Sequence, residues 1–171
     1  MESIIQSYCK SPVGDIRVSG TENFVTEIVF CKKDCVHRKE TVHLPSVILD
    51  CQKQISQYFK GEIQNFTISF QLNGTDFQKL VWQELLKIPY GETVSYKDLS
   101  KKLNNVMAIR AVANANAKNK LAIVIPCHRV IGSNNSLTGY AGGVEKKKYL
   151  LELEKKHKYG QQFLFNHIKA F

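Results

Sequence analysis

No stretch of the 171 residues approaches the roughly 20 consecutive apolar positions that a membrane-spanning helix needs. The opening residues, Met1 to Pro12, lack the charged-then-apolar order of a secretory signal. Together these absences argue against a helical span and a secretory signal, and the chain is expected to be soluble and intracellular with no membrane partner. Its compartment is the cytoplasm if the source is prokaryotic and the nucleus if it is eukaryotic. There is no internal repeat and no low-complexity linker. Acidic residues are scarce in one place only. Residues 1–75 hold 8 Lys+Arg and 8 Asp+Glu, whereas residues 76–171 hold 16 and 7, which leaves all of the +9 net charge there. A positive half beside a neutral half suggests that one part faces a polyanion. An even cysteine set is also missing. The five are Cys9, Cys31, Cys35, Cys51 and Cys127, and an odd count without a signal argues against a disulfide framework.

What is present is globular: 43% hydrophobic and 10% aromatic residues, enough for one large domain or two small ones. Residues 3–9 read as a strand. Ser11-Pro12-Val13-Gly14 is a turn signal, followed by alternation through Ile16 and Val18. Asn23 to Cys31 is a further β-rich run, and residues 32–43 read as a charged loop. Leu44 to Phe59 has helical spacing, with Val47, Cys51, Ile55, Tyr58 and Phe59 on one face and Gly61 as the stop. Asn65 to Leu72 alternates like another strand.

The rest is mostly helical. Thr75 and Gln78 fit a capping box before an apolar stripe that ends at Ile88. Ser95 and Asp98 fit a second one, opening a helix over Tyr96 to Leu103. A third helix is expected from about Val106 to Ala117. Two short helices joined by the Asn104-Asn105 turn resemble a helix-turn-helix. The third carries five alanines and one Arg, Arg110. Such a surface permits close approach but reads few base edges. Leu121 to Ile125 is an apolar five-residue run, expected as a strand. Gly132 to Gly143 has the composition of a binding loop or lid. Val144 to His157 reads as a last helix, with Val144 and Leu151 on its apolar face and Lys146-Lys147-Lys148 exposed. The fold class is therefore α+β. A small N-terminal α/β domain with a three-stranded sheet, residues 1–75, precedes a mainly helical C-terminal domain carrying the helix-turn-helix, residues 76–171.

Pro126-Cys127-His128-Arg129 places a thiol beside an imidazole directly after the apolar run. Thiolate is the nucleophilic form, so a cysteine of ordinary pKa needs activation. An imidazole can take its proton, and a carboxylate can hold that imidazole's tautomer. Glu152 and Glu154 are the available carboxylates. The plain alternative for the pair alone is a buried structural cysteine beside a surface histidine.

Ile125-Pro126-Cys127-His128-Arg129-Val130 resembles the active-site signature of the O6-alkylguanine-DNA alkyltransferases. The likeness runs in order and spacing from Phe77 to Glu154. It includes Tyr90-Gly91, Val94-Ser95-Tyr96, Arg110-Ala111-Val112, Asn119 and Gly139-Tyr140-Ala141-Gly142-Gly143. The resemblance implies direct DNA repair: Cys127 takes the alkyl carbon from O6 of guanine, irreversibly and once per protein. O4-alkylthymine is a possible second substrate. The partner implied is double-stranded DNA containing alkylated guanine, bound by a monomer without any cofactor. His128 is implied as the base, acting through water, with Glu154 orienting it and Asn119 fixing the cysteine-bearing turn. Tyr96 is implied to donate to guanine N3. The backbone carbonyls of Cys127 and Val130 accept from the guanine amine, and the Ala141 N–H reaches O6. Tyr140 is implied in substrate binding, and Lys147 positions the loop. Arg110 fills the gap left by a flipped base, with Ala111, Ala115 and Arg129 also implied at the DNA. Lys120 follows Asn119 where the family often has proline, and Ala141 stands where some members have serine.

Two other readings compete. One is a DNA lesion-binding module without chemistry, against which Cys127 itself argues. The other is a thiol hydrolase, which leaves Arg110 and its alanine-rich helix without a role. Cys31, Cys35, His37 and His43 form a C-x3-C-x-H-x5-H run that could offer zinc ligands. Free thiols and surface histidines explain it more simply, and no metal is assigned.

Overall fold

The computed structural model describes residues 3–31 and 43–160. Cys35 and His37 of the Cys31/Cys35/His37/His43 run lie outside these residues, as does the basic tail. In the first half, β1 (Ile5–Cys9), β2 (Ile16–Gly20) and β3 (Val25–Phe30) form an antiparallel meander in the order β1-β2-β3. The Ser11–Gly14 turn sets the first hairpin, with the Gly14 N–H donating to the Ser11 carbonyl at 3.1 Å. Cys9 then pairs with Ile16, and Ile16 with Phe30.

Helix α1 (Ser46–Lys60) covers this sheet with Ile48, Cys51, Ile55 and Tyr58, all buried. Its direction is pinned by Gln52, whose Nε2 donates to Ser7 Oγ (2.9 Å) and to the Tyr8 carbonyl (3.1 Å). Gly61 closes the helix at φ 76°, and a Cβ there would lie 2.6 Å from the His157 ring. Glycine is thus required twice, for the left-handed turn and for the close approach.

The strand expected over residues 65–72 does not form. A single bridge joins Phe70 to Val25, through bonds from Val25 N–H to the Ser69 carbonyl and from Gln71 N–H to the Val25 carbonyl, both 2.9 Å. Thr67 N–H is instead taken by the Gln54 side chain (2.9 Å), which draws the segment toward α1 and off the sheet edge. The three strands of the sheet are all in residues 5–30.

The second half follows as α2 (Asp76–Leu86), β4 (Val94–Ser95), α3 (Tyr96–Lys102), α4 (Ile109–Ala117), a 3-10 turn (Cys127–Arg129), β5 (Val130–Ile131) and α5 (Val144–Tyr159). Thr75 and Gln78 make the full reciprocal capping box of α2. Ser95 caps α3 by accepting from the Asp98 N–H, but the Asp98 carboxylate takes the Ser95 hydroxyl proton rather than returning to the backbone. Helix α4 begins three residues later than the sequence pattern indicates, because Ala108 N–H closes a tight turn onto the Asn105 carbonyl at 3.0 Å. Trp82 of α2 ties α4 in place through Nε1 to the Ala115 carbonyl at 2.9 Å. No helix among the described residues is long and apolar enough to cross a membrane.

The two halves meet along β3. Ile28 N–H donates to the Lys120 carbonyl (2.7 Å) and Ala122 N–H to the Ile28 carbonyl (2.9 Å). The apolar run 121–125 is therefore one bridge and then a coiled turn, not a strand. Ile123 sits at φ 72°, and the Ile125 N–H folds back to the Leu121 carbonyl at 2.9 Å. A β-branched residue rarely adopts that backbone. Burial of Leu121, Ile123, Val124 and Ile125 explains the apolar pattern without a strand.

Candidate active site

The coiled turn delivers Cys127 onto a 3-10 turn, where neighbouring side chains need not point to opposite faces as they would on a strand. Asn119 holds the delivery segment. Its Oδ1 accepts from Leu121 N–H (2.9 Å), and its Nδ2 donates to the Ile125 carbonyl (2.9 Å) and reaches Cys127 Sγ at 3.1 Å. Lysine follows Asn119, and Lys120 Nζ pairs with Glu27 at 3.1 Å.

Cys127 is buried. Burial pushes its thiol up to about 11, against the Asn119 hydrogen bond, the Lys147 charge and two backbone N–H groups that pull it down. At neutral pH it is a thiol awaiting a base. His128 is buried completely, and desolvation holds its pKa below the usual imidazole value, with Glu154 opposing. His128 Nε2 lies 2.7 Å from Glu154 Oε1, while Nδ1 is buried without a hydrogen-bond partner among the described residues.

Glu154 is the hub. It is fully buried and accepts from Tyr58 OH (2.7 Å), Gly91 N–H (2.9 Å), His128 Nε2, and Arg129 through Nε (2.9 Å) and Nη2 (3.0 Å). Burial alone would raise its pKa, but the bonds and charges of His128 and Arg129 outweigh that and hold the carboxyl far below the usual range. An ionised carboxylate only accepts, so Nε2 carries the imidazole proton and Nδ1 is the bare, basic nitrogen.

Arg129, expected at the DNA surface, is inside. It completes the Glu154 ion pair, donates to the Ile88 carbonyl (2.6 Å) and stacks 5.6 Å from the Tyr90 ring centre. Buried carboxylates need a partner, and this is the nearest cation. Ala115 also faces inward, its carbonyl engaged by Trp82. The exposed edge of α4 instead presents Arg110, Ala111 and Asn114. Lys147 is not exposed like its neighbour Lys148. It is buried, donates to the Thr138 carbonyl at 2.8 Å, and lies 5.9 Å from the Tyr96 ring centre. Val144, expected on the apolar face of α5, is exposed, whereas Leu151 is buried.

The Gly132–Gly143 segment packs beside these groups. The Tyr96 hydroxyl is close to Gly139, 3.8 Å from where a Cβ would stand. The Tyr140 ring packs against Phe30 at 6.1 Å, and its hydroxyl is buried without a partner among the described residues. Val130 is buried and Ala141 exposed. Two participants escaped the sequence reading. The sequence pattern places Tyr58 on the core face of a helix and gives Asn116 no role. Asn116 Nδ2 lies 3.3 Å from the Cys127 carbonyl and 3.4 Å from the Tyr96 hydroxyl. Its spacing of four from Val112 is the signal that could have found it, since Val112, Ala115 and Asn116 form the buried face of α4. Among the described residues no group of three or more His, Cys, Asp or Glu is arranged to hold a metal.

Known proteins share this arrangement of sequence and fold. Residues 4–72 match the 6-O-methylguanine DNA methyltransferase ribonuclease-like domain, and residues 76–156 match the DNA binding domain of the same family. The methylated-DNA–protein-cysteine methyltransferase of Methanosarcina barkeri is 41% identical over 152 residues, covering 85% of this chain and 93% of its own. The constitutive enzyme of that name from Bacillus subtilis is 40% identical over 153 residues, covering 85% and 92%. A crystal structure of Mycobacterium tuberculosis OGT in complex with DNA superposes with a TM-score of 0.79 at 40% identity, covering 88% of this chain and 92% of that one. With both of its domain models matched and relatives at this identity across most of its length, the chain belongs to the 6-O-methylguanine DNA methyltransferase family.

Proposed function

We propose that Cys127 accepts the alkyl group from O6 of a guanine flipped out of double-stranded DNA, once and irreversibly, in a monomeric protein. Direct alkyl repair by a methylated-DNA–protein-cysteine methyltransferase is the activity of the family. The assignment to these residues rests chiefly on one observation: on the buried 3-10 turn, the Cys127 thiol is followed by an imidazole whose Nε2 lies 2.7 Å from the buried Glu154 carboxylate. Residues 1–75 are the structural domain in this reading, and residues 76–171 bind DNA and carry the transfer.

The Cys127 proton passes through a water to His128 Nδ1. The sulfur then attacks the alkyl carbon, an S–C bond forms, the C–O6 bond breaks, and its electron pair leaves on guanine. Tyr96 offsets that charge by donating at N3. The carbonyls of Cys127 and Val130 and the N–H of Ala141 orient the base, with Tyr140 and the Lys147-anchored loop as its wall. Arg110, exposed on α4, occupies the gap in the stack, and Ala111 lets the helix approach. A thioether is not reversed by any group in the site, so the protein is consumed. A thiol hydrolase would turn over, which separates the two chemistries.

Intact mass tests the proposal. Mixed with a duplex carrying O6-methylguanine, the protein should gain at most one methyl group, and Cys127→Ala should gain none. Lesion DNA that binds without any mass gain would refute transfer and leave a lesion-binding module.

A further inference from the structure

Asn116 is the least explained polar group near the thiol. It lies on α4 and is 2% exposed. Its Nδ2 is within 3.3 Å of the Cys127 carbonyl and 3.4 Å of the Tyr96 hydroxyl oxygen, and its Oδ1 is buried without a partner among the described residues. The carbonyl can only accept, so it fixes which way the amide faces. The reversed amide would set its oxygen against the Cys127 carbonyl oxygen, two acceptors facing each other, and would leave the NH2 group without a partner. The NH2 group therefore has one hydrogen for the carbonyl and one for the phenol.

That second bond decides what Tyr96 can do. A hydroxyl whose oxygen already accepts a hydrogen bond keeps its own proton for another acceptor. The Tyr96 hydroxyl makes no other hydrogen bond among the described residues, and it sits against the loop at Gly139. We propose that Asn116 is a positioning residue for alkyl transfer: its amide holds the Tyr96 hydroxyl as a donor toward the flipped base and ties that donor to the Cys127 carbonyl. This rests on the reading of Tyr96 as the donor to guanine N3. Burial and the nearby sulfur raise the phenol's pKa and keep it protonated, while the Asn116 bond pulls in the other direction and sharpens its donation. One side chain thus sets the spacing between a group that receives from the base and one that gives to it.

The test compares two duplexes, one with O6-methylguanine and one with its N3-deaza analogue, which offers no acceptor at that position. The full chain, Tyr96→Phe, Asn116→Asp and Asn116→Ala are each measured for single-turnover transfer at saturating DNA. The unsubstituted protein should transfer from the analogue about tenfold or more slowly, as for loss of one aimed donor bond. In Asn116→Asp a carboxylate accepts the phenol's hydrogen bond and turns it away from the base, so transfer from O6-methylguanine should fall to the level of Tyr96→Phe, and the penalty for the analogue should vanish. Asn116→Ala, which adds no charge, should lose most of the penalty while the DNA concentration at half-saturation stays within about twofold. The ratio of the two substrates is unaffected by the fraction of folded protein, so a merely structural residue would lower both rates and leave it intact. An unchanged ratio in both Asn116 variants overturns the proposal. No penalty in the unsubstituted protein removes the N3 donor itself, and the Asn116 role with it.

Discussion

Glu154 carries more of the site than its sequence position suggests. Its carboxylate is the acceptor for two charged or chargeable groups and for Tyr58, 96 residues away in the chain. Replacing it by Gln keeps the shape but leaves Arg129 as a buried, uncompensated cation. Loss of one partner from a buried ion pair costs about 3–5 kcal/mol, so Glu154→Gln should show that loss in urea unfolding. The pH dependence follows from the signs. Folded Glu154 and folded His128 both have depressed pKa values, so each stabilises the fold above its unfolded pKa and loses that contribution as pH falls. Stability should decline first below about pH 6.5, through His128, and again below the ordinary carboxylate pKa. The same depression keeps Nδ1 unprotonated, so the single-turnover transfer rate should hold from pH 8 down past pH 6.5. A rate already halved at 6.5 would mean an unperturbed histidine and would contradict the burial argument. Cys127 and His128 were legible because they are neighbours, and Glu154 because the family resemblance chose it over Glu152. Arg129, which the resemblance implied at the DNA, is instead buried against Glu154. Only the fold shows that Glu154 is buried and must be neutralised.

At the scale of elements, the capping box of α2 and the buried face of α1 match the sequence pattern, whereas the second capping box is incomplete, Val144 is exposed, and both misassigned strands were apolar or alternating runs. Residues 65–72 lost a partner to Gln54, and residues 121–125 were shaped by Asn119 and by β3. A side-chain hydrogen bond took part in each case, from Gln54 thirteen residues away and from the nearby Asn119, and hydrophobic periodicity contains no record of them. Ile123 tests which force dominates. Its left-handed backbone costs about 1–2 kcal/mol, which glycine would recover. Its side chain is 1% exposed, and emptying such a site costs about 2–5 kcal/mol. Burial should win: Ile123→Gly should be less stable than the unsubstituted protein despite relieving the backbone. Greater stability would mean that strain, not packing, limits this turn.

At the scale of the whole molecule, charge and architecture separate along the same line. The neutral first half braces the cysteine-bearing segment through Ile28 and supplies Tyr58 to Glu154, while the +9 resides in residues 76–171. Such a division predicts that the long-range field serves DNA encounter and that Arg110 serves the chemistry. Each phosphate neutralised by a lysine or arginine contributes about −0.9 to the slope of log affinity against log salt. Affinity for undamaged duplex should therefore fall at least tenfold between 50 and 200 mM salt, the change expected when about two such contacts are lost to screening. Arg110 stands on the exposed edge of α4 among alanines. If it enters the base stack, it neutralises no phosphate, so Arg110→Ala should leave the salt slope unchanged while slowing transfer from duplex. Transfer from a single-stranded oligonucleotide, where no stack needs filling, should be nearly unaffected. Measured together, slope and rate assign the residue: a slope shallower by about one unit would make Arg110 a phosphate contact, and an unchanged slope with a duplex-only loss would place it in the gap that the flipped guanine leaves.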